Sequence, residues 1–134
     1  MGPLEYIVFK ATGSTTGGAF ELLELTVQPG GGPPDHLHRQ HDETYYLFDG
    51  TFRFRLGSDF ITGVSGSTIF VPRGTQHAFF NGSAAPARML VVVTPSGLQG
   101  FFERLGALLF GPPDEGAIAD ISAEYGCEDV PPLT

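Results

Sequence analysis

The feature that most constrains this chain is a run of histidine and carboxylate side chains between Gly30 and Gly50. His36 and His38 stand two residues apart, and residues i and i+2 of a β-strand point to the same face. Two imidazoles on one face can share a metal ion, and Glu43, five residues further on, can add a carboxylate oxygen. Nitrogen and oxygen donors together suit a divalent transition ion: iron, manganese, nickel, copper or zinc. The run therefore favours strands that turn these side chains toward one metal centre.

Two spaced motifs in the sequence resemble those of the cupins. The first stretch resembles the first cupin motif at every fixed position, which are Gly30, His36, His38, Glu43 and Gly50. A later stretch resembles the second motif, with its fixed positions at Gly66, Pro72, Gly74, His77 and Asn81. The two motifs are separated by 15 residues, a spacing typical of small bacterial cupins.

The resemblance spans about residues 20–95 and has consequences for fold and site. It implies an all-β fold, a cupin jelly-roll β-barrel of six to eight strands with the metal inside. It also implies that the metal ligands are His36, His38, Glu43 and His77. His41 matches no ligand position, and we interpret it as a solvated loop residue or as a hydrogen-bond donor to a ligand.

Length and composition fit one domain. The chain has 134 residues, of which 41% are apolar, enough for one core and too few for two. Its 19 Gly and 11 Pro fit short strands joined by tight turns. We expect residues 1–134 to form a single cupin domain, with a barrel core over about 5–95 and a C-terminal helical extension over about 96–130.

Charge and cysteine content exclude several classes of partner. The formal net charge is -8, and Lys10 is the only lysine, which argues against nucleic acid and against anionic membrane surfaces. Cys127 is the only cysteine, so it cannot form an internal disulfide, and we interpret it as a packed or inert thiol. Neither a signal peptide nor a run of membrane-spanning length is apparent. We therefore expect a cytoplasmic protein.

Alternation along the central strands predicts the walls of a pocket. If Glu43 points inward, every second residue after it does so as well. Asp49-Gly50 is a strong two-residue hairpin signal, and pairing across it turns the Phe side chains of the next strand inward. The predicted substrate pocket then consists of Tyr45, Leu47, Phe52, Phe54 and, by alternation from His77, Phe79. Leu47 and Phe54 can also be interpreted as residues that only fill the interior of the barrel.

The period of the apolar residues changes after Pro95. An amphipathic helix is predicted over residues 98–109 with Ser96 as its N-cap, and a second over residues 114–125 that stops at Gly126. We interpret these helices as a cover for an open edge or end of the barrel. A lid over its mouth and a dimer contact are the alternatives, and we expect a homodimer through exposed terminal segments.

The resemblance is strongest to the small single-domain cupins grouped with quercetin dioxygenases. It implies a dioxygenase that uses Fe²⁺ or Mn²⁺ to activate O2 beside a small enolic or phenolic substrate. Glu43 would act as a ligand or, displaced from the metal, as a catalytic general base. A non-redox isomerase or cyclase with the metal as Lewis acid is the alternative, as is a small-molecule-binding protein without turnover.

Overall fold

The computed structural model describes residues 4–133. Its ten strands and three helices follow in chain order as β1 (Glu5–Ala11), α1 (Gly13–Thr16), β2 (Glu21–Val27), β3 (His36–His38), β4 (Asp42–Asp49), β5 (Phe52–Leu56), β6 (Asp59–Gly63), β7 (Thr68–Val71), β8 (His77–Phe80), β9 (Ala87–Thr94), α2 (Gln99–Leu109), α3 (Glu115–Glu124) and β10 (Cys127–Asp129).

The strands form two antiparallel sheets of five strands each. The first sheet has the order β1-β2-β9-β4-β7, and the second has the order β10-β3-β8-β5-β6. The expected all-β jelly-roll class with C-terminal helices is confirmed. The expected count of six to eight strands is wrong, since the described chain has ten and places β1 and β10 at sheet edges.

The core lies between the inner faces of the two sheets, and strict alternation selects its residues. Leu23, Leu25 and Val27 of β2 are buried, and their neighbours in the strand are half-buried. Met89 and Val93 of β9 are fully buried in the same way. Burial of large apolar side chains at about 25 cal/mol per Å² is the main favourable contribution to folding. The period of two thus decides which side chains face the interior.

The predicted hairpin at Asp49-Gly50 is wrong. Strand β4 pairs with β7 and β9, whereas β5 pairs with β6 and β8, so the chain passes here from one sheet to the other. Gly50 has a φ of 85°, and a Cβ there would lie 2.8 Å from the Cβ of Ala87. The turn signal therefore marked a real left-handed position, but it did not determine the partner strand. The predicted faces are correct, because Phe52 and Phe54 are each 1% exposed.

The two C-terminal helices follow β9 and lead into a last short strand. Helix α3 has Asp114 as its N-cap, whose side chain accepts from the amide of Ala117 at 3.0 Å. The predicted Ser96 cap of α2 is wrong. Instead the carboxylate of Glu21, at the start of β2, accepts from the amides of Leu98 and Gln99 at 2.9 and 3.1 Å.

Strand β10 was not predicted. Its three residues pair antiparallel with β3, and Cys127 lies opposite His38. No helix in residues 4–133 is long and apolar enough to cross a membrane.

Candidate metal centre

The four predicted ligands come together from both sheets. His36 and His38 lie on β3, and His77 opens β8 directly opposite His36. Glu43 lies on β4 of the other sheet. One ligand atom of each residue lies within 4.8 Å of one ligand atom of every other. The sequence spacing therefore corresponds to one compact cluster, and this group can bind a metal ion.

Glu43 is the central member of this group. Its Oε1 lies 3.1 Å from Nε2 of His38 and 3.1 Å from Nε2 of His77. Glu43, His38 and His77 are 3%, 4% and 1% exposed, while His36 is half-buried at the cavity. Charged and polar groups buried to this degree need partners, and here they supply them to one another.

Each histidine is oriented by a hydrogen bond at its other ring nitrogen. Nδ1 of His36 lies 2.8 Å from the carbonyl oxygen of Pro34, and Nδ1 of His77 lies 2.9 Å from that of Thr75. Nδ1 of His38 lies 2.9 Å from Sγ of Cys127. Carbonyl oxygens accept only, so the Nδ1 protons of His36 and His77 are assigned as donors to them. Each Nε2 is thereby left for the shared site, the arrangement usual for metal-bound imidazole.

Without a metal ion, the side chains of the group have very different pKa values. Burial, with His77 and His38 nearby, lowers the pKa of His36 to about 3, so this ring is neutral. Burial also disfavours a charged His38, but the Glu43 carboxylate and the Cys127 thiol outweigh it and raise the pKa of His38 to about 10. Burial likewise opposes charge on Glu43, yet His38 and His77 hold the pKa of its carboxyl well below the ordinary value. His38 and Glu43 thus form a buried ion pair.

The donor set fits a divalent transition ion. Three imidazole nitrogens and one carboxylate oxygen lie within 4.8 Å of one another, and His38, Glu43 and His77 are buried. Such ligands accept iron, manganese, nickel, copper and zinc, so the residues fit a metal without selecting one.

A cavity of about 350 Å³ adjoins the group. Its polar lining consists of His36, His38 and Glu43 together with Glu5, Tyr45, Ser122, Cys127 and Asp129. Its apolar lining comes mostly from the first sheet and from the two C-terminal helices, and includes Ile7, Leu23, Leu25, Val91, Phe101, Phe102, Leu105, Leu109 and Ile118. The metal-binding group therefore faces a largely apolar chamber of a size that holds a small organic molecule.

The predicted pocket residues divide into two sets. Tyr45 and Phe79 line the cavity. Leu47, Phe52 and Phe54 are 0%, 1% and 1% exposed and belong to the hydrophobic core. Leu47 lies four residues beyond Glu43 on the same strand, which corresponds to about 13 Å, so it is remote from the metal centre.

Helices α2 and α3, which were predicted to cover an edge or end of the barrel or to form a lid, supply part of the cavity wall. Phe101 is 6% exposed and its ring centroid lies 6.3 Å from that of His38. The apolar stripe of α2 was recognised in the sequence, but its distance in sequence from the ligands concealed its contact with them. Cys127 was expected to be packed or inert; it is buried and contacts His38.

His41 lies outside the metal-binding group. It is 6% exposed, so the solvated-loop interpretation is wrong. A Cβ on Gly97, which has a φ of 137°, would lie 2.9 Å from Nε2 of His41. His41 thus packs against the turn that precedes α2, and burial lowers its pKa.

The chain is similar in sequence to a protein of known name. The tetracenomycin polyketide synthase protein TcmJ of Streptomyces glaucescens is 27% identical over 86 residues, which make up 64% of this chain and 56% of TcmJ. The chain thus spans little more than half the length of that curated relative.

The fold is similar to those of solved structures, and the sequence matches a family model. The polyketide cyclase RemF from Streptomyces resistomycificus superposes with a TM-score of 0.63 at 26% identity, over 70% of this chain and 67% of RemF. A sugar phosphate isomerase of the cupin superfamily from Silicibacter pomeroyi superposes with a TM-score of 0.60 at 25% identity, over 68% of this chain and 59% of the isomerase. The model of the cupin domain matches residues 23–93, more than half of the chain. This chain therefore belongs to the cupin family.

Proposed function

We propose that this cupin is a metal-dependent cyclase that acts on an apolar, enolisable aromatic compound of the polyketide type. The observation that carries the proposal is the apolar, aromatic chamber beside a group of three histidines and one glutamate. TcmJ and RemF, two relatives with polyketide chemistry in their names, support the substrate class.

The charge of the cavity lining separates this class from sugar phosphates. Among the described residues, none that lines the cavity is lysine or arginine, whereas Glu5 and Asp129 add carboxylates. Phosphate recognition depends on cationic donors or on clustered backbone amides. The resemblance to a sugar phosphate isomerase therefore does not extend to the chemistry of this lining.

We assign the proton transfers of an aldol-type ring closure to Glu43 and Tyr45. Glu43 is ionised and can remove a proton from a carbon between two carbonyl groups. Burial and, after it, the neighbouring Glu43 carboxylate raise the pKa of Tyr45 well above its ordinary value. Tyr45 thus stays protonated and can donate.

The proposed ring closure is an intramolecular aldol condensation. The enolate carbon forms a bond to a carbonyl carbon of the same molecule, and the π bond of that carbonyl breaks. Its oxygen takes a proton from Tyr45, which recovers one from Glu43, and loss of water completes aromatisation. A divalent ion in the group would supply Lewis-acid stabilisation of the enolate.

A second candidate is a dioxygenase acting on a small enolic or phenolic substrate. The donor set suits iron or manganese, and Tyr45, Phe79 and Phe101 give the cavity an aromatic lining. In this alternative O2 is a co-substrate and Fe²⁺ or Mn²⁺ the cofactor, with Glu43 as base.

Oxygen dependence distinguishes the two candidates. Protein loaded with Zn²⁺, Mn²⁺ or Fe²⁺ should be incubated with enolisable aromatic β-diketones and phenolic ketones, with and without O2, and a sugar phosphate should serve as the polar control. Ring closure with Zn²⁺ under anaerobic conditions supports the cyclase. Turnover that requires O2 and places 18O from 18O2 in the product would refute it in favour of the dioxygenase.

A pair of variants tests the cavity itself. Leu105 lines the cavity, whereas Phe110 at the end of α2 is 69% exposed. Leu105→Lys should weaken binding of an aromatic diketone by about tenfold or more, because it replaces apolar contact by a charge. Phe110→Lys should leave that binding unchanged. Equal binding by both variants would show that the ligand lies elsewhere.

A further inference from the structure

The strand that carries two metal ligands depends on the C-terminal strand for its pairing. Strand β3 consists of residues 36–38, and all three pair with β10. In the described chain β3 pairs with β8 at a single position, His36 opposite His77. The C-terminal segment, beyond the motifs that identify the family, therefore provides most of the ladder that holds His36 and His38.

Cys127 is the residue of β10 that lies directly opposite His38. Its thiol is 7% exposed, and Sγ lies 2.9 Å from Nδ1 of His38. The carbonyl oxygen of Tyr125 lies 3.9 Å from the same sulfur and can accept its S–H proton. The sulfur is thus placed to accept from the imidazole on one side and donate to the backbone on the other.

We propose that Cys127 is a positioning residue for the metal centre. His36 and His77 donate to backbone carbonyls, and His38 makes the corresponding contact with a thiol. The thiol fixes the ring plane and tautomer of His38, so that Nε2 points to the shared site. Loss of an outer hydrogen bond of this kind costs about 10- to 100-fold in metal affinity in other metal sites.

The same segment links the metal centre to the cavity. Helices α2 and α3 contribute Phe101, Leu105 and Ile118 to the cavity lining, and the chain then turns at Gly126, whose φ is 73°, directly into Cys127. The residues that form the cavity wall and the residue that orients His38 thus lie on one continuous piece of chain.

Metal affinity tests the proposal without any turnover assay. The Zn²⁺ affinity of the full chain should be measured by competition with a chromophoric chelator for Cys127→Ala, Cys127→Ser and Glu128→Gln. Glu128 is the matched control, since it lies next to Cys127 on β10 and pairs with Arg39 at the surface. We expect Cys127→Ala to bind Zn²⁺ about 10- to 100-fold more weakly, Cys127→Ser to retain most of the affinity, and Glu128→Gln to match the parent.

A spectroscopic readout separates positioning from packing. In the Zn²⁺-loaded protein, the imidazole ¹⁵N shifts of His38 should show a protonated, hydrogen-bonded Nδ1, and this signature should be lost in Cys127→Ala. Should Cys127→Ala fail to fold, Cys127→Val takes its place, because valine nearly keeps the volume of the thiol and removes the acceptor. Loss of both the His38 signature and the affinity then supports the proposal, and retention of either one overturns it.

Three results would overturn the proposal. The first is an unchanged Zn²⁺ affinity in Cys127→Ala. The second is a loss of affinity with an unchanged His38 signature, and the third is an equal loss in Glu128→Gln; either of these would assign the effect to the packing of β10. The inference rests on the metal-binding group and not on the proposed cyclisation, so either can fail while the other stands.

Discussion

The carboxylate of Glu21 makes an interaction whose removal has a calculable cost. Glu21 is 2% exposed and accepts from the amides of Leu98 and Gln99, the first free N–H groups of α2. A carboxylate at this position satisfies donors that have no partner within the helix and interacts favourably with the positive end of its dipole. It therefore attaches α2 to the first sheet at the point where the cavity wall begins.

The Glu21→Gln substitution leaves one acceptor oxygen and places an amide donor against the other backbone N–H. The hydrogen bond that remains weakens by about 1 kcal/mol, from about 1.5–3 to about 0.5–1.5 kcal/mol, because its acceptor is now neutral, and the donor left unsatisfied costs about 1–3 kcal/mol. We expect the free energy of unfolding to fall by about 2–4 kcal/mol on this basis. Glu24→Gln is the matched control, because Glu24 lies on the same strand and its bonds to Arg88 and Lys10 are nearer the surface.

Urea unfolding of the metal-free variants measures this difference, and amide exchange at Leu98 and Gln99 localises it. The Glu24→Gln variant should be destabilised much less, because solvent screens the ion pairs that Glu24 makes. Equal destabilisation by the two substitutions, or unchanged exchange at the two amides, would refute the interpretation of Glu21 as the cap of α2.

Three further predictions follow from the site and the sheet edges. Glu43 and Cys127 raise the pKa of His38 to about 10 in the metal-free protein, so Zn²⁺ binding at pH 7 should release about one proton from His38. Calorimetry in buffers of different ionisation enthalpy measures this release, and a binding enthalpy that does not depend on the buffer would contradict the prediction. Glu43→Gln should reduce turnover far more than metal content if Glu43 is the base, and a parallel loss of both would assign Glu43 as a ligand alone. The chain should be a homodimer, since β1 ends the first sheet with Tyr6 67% exposed; light scattering would contradict this with a mass near 14.3 kDa.

The parts of the site that follow local rules were predictable. Alternation placed Glu43 and Tyr45 on one inward face, and the spacing of His36 and His38 placed both beside the same centre. These features depend on the period of a strand, which is a property of neighbouring residues. His77 is far from the other three in the sequence, and only the resemblance to the second cupin motif grouped it with them.

The remaining features depend on contacts between distant segments. The turn at Gly50 was recognised, but the choice between a hairpin and a change of sheet depends on β7 and β9, which arrive later in the chain. Glu21 is separated in sequence from Leu98 by 77 positions and from Gln99 by 78. Cys127 is separated from His38 by 89 positions. Neither has a local pattern, because a single carboxylate or thiol acquires its partner through the tertiary fold.

Metal content tests the central claim that one ion is bound by His36, His38, Glu43 and His77. The measurement is elemental analysis of the parent and of single alanine variants purified without added metal. We expect about one divalent ion per chain in the parent and in His41→Ala, and little or none in His36→Ala and His77→Ala. Loss of the ion in His41→Ala together with its retention in His38→Ala would contradict the account.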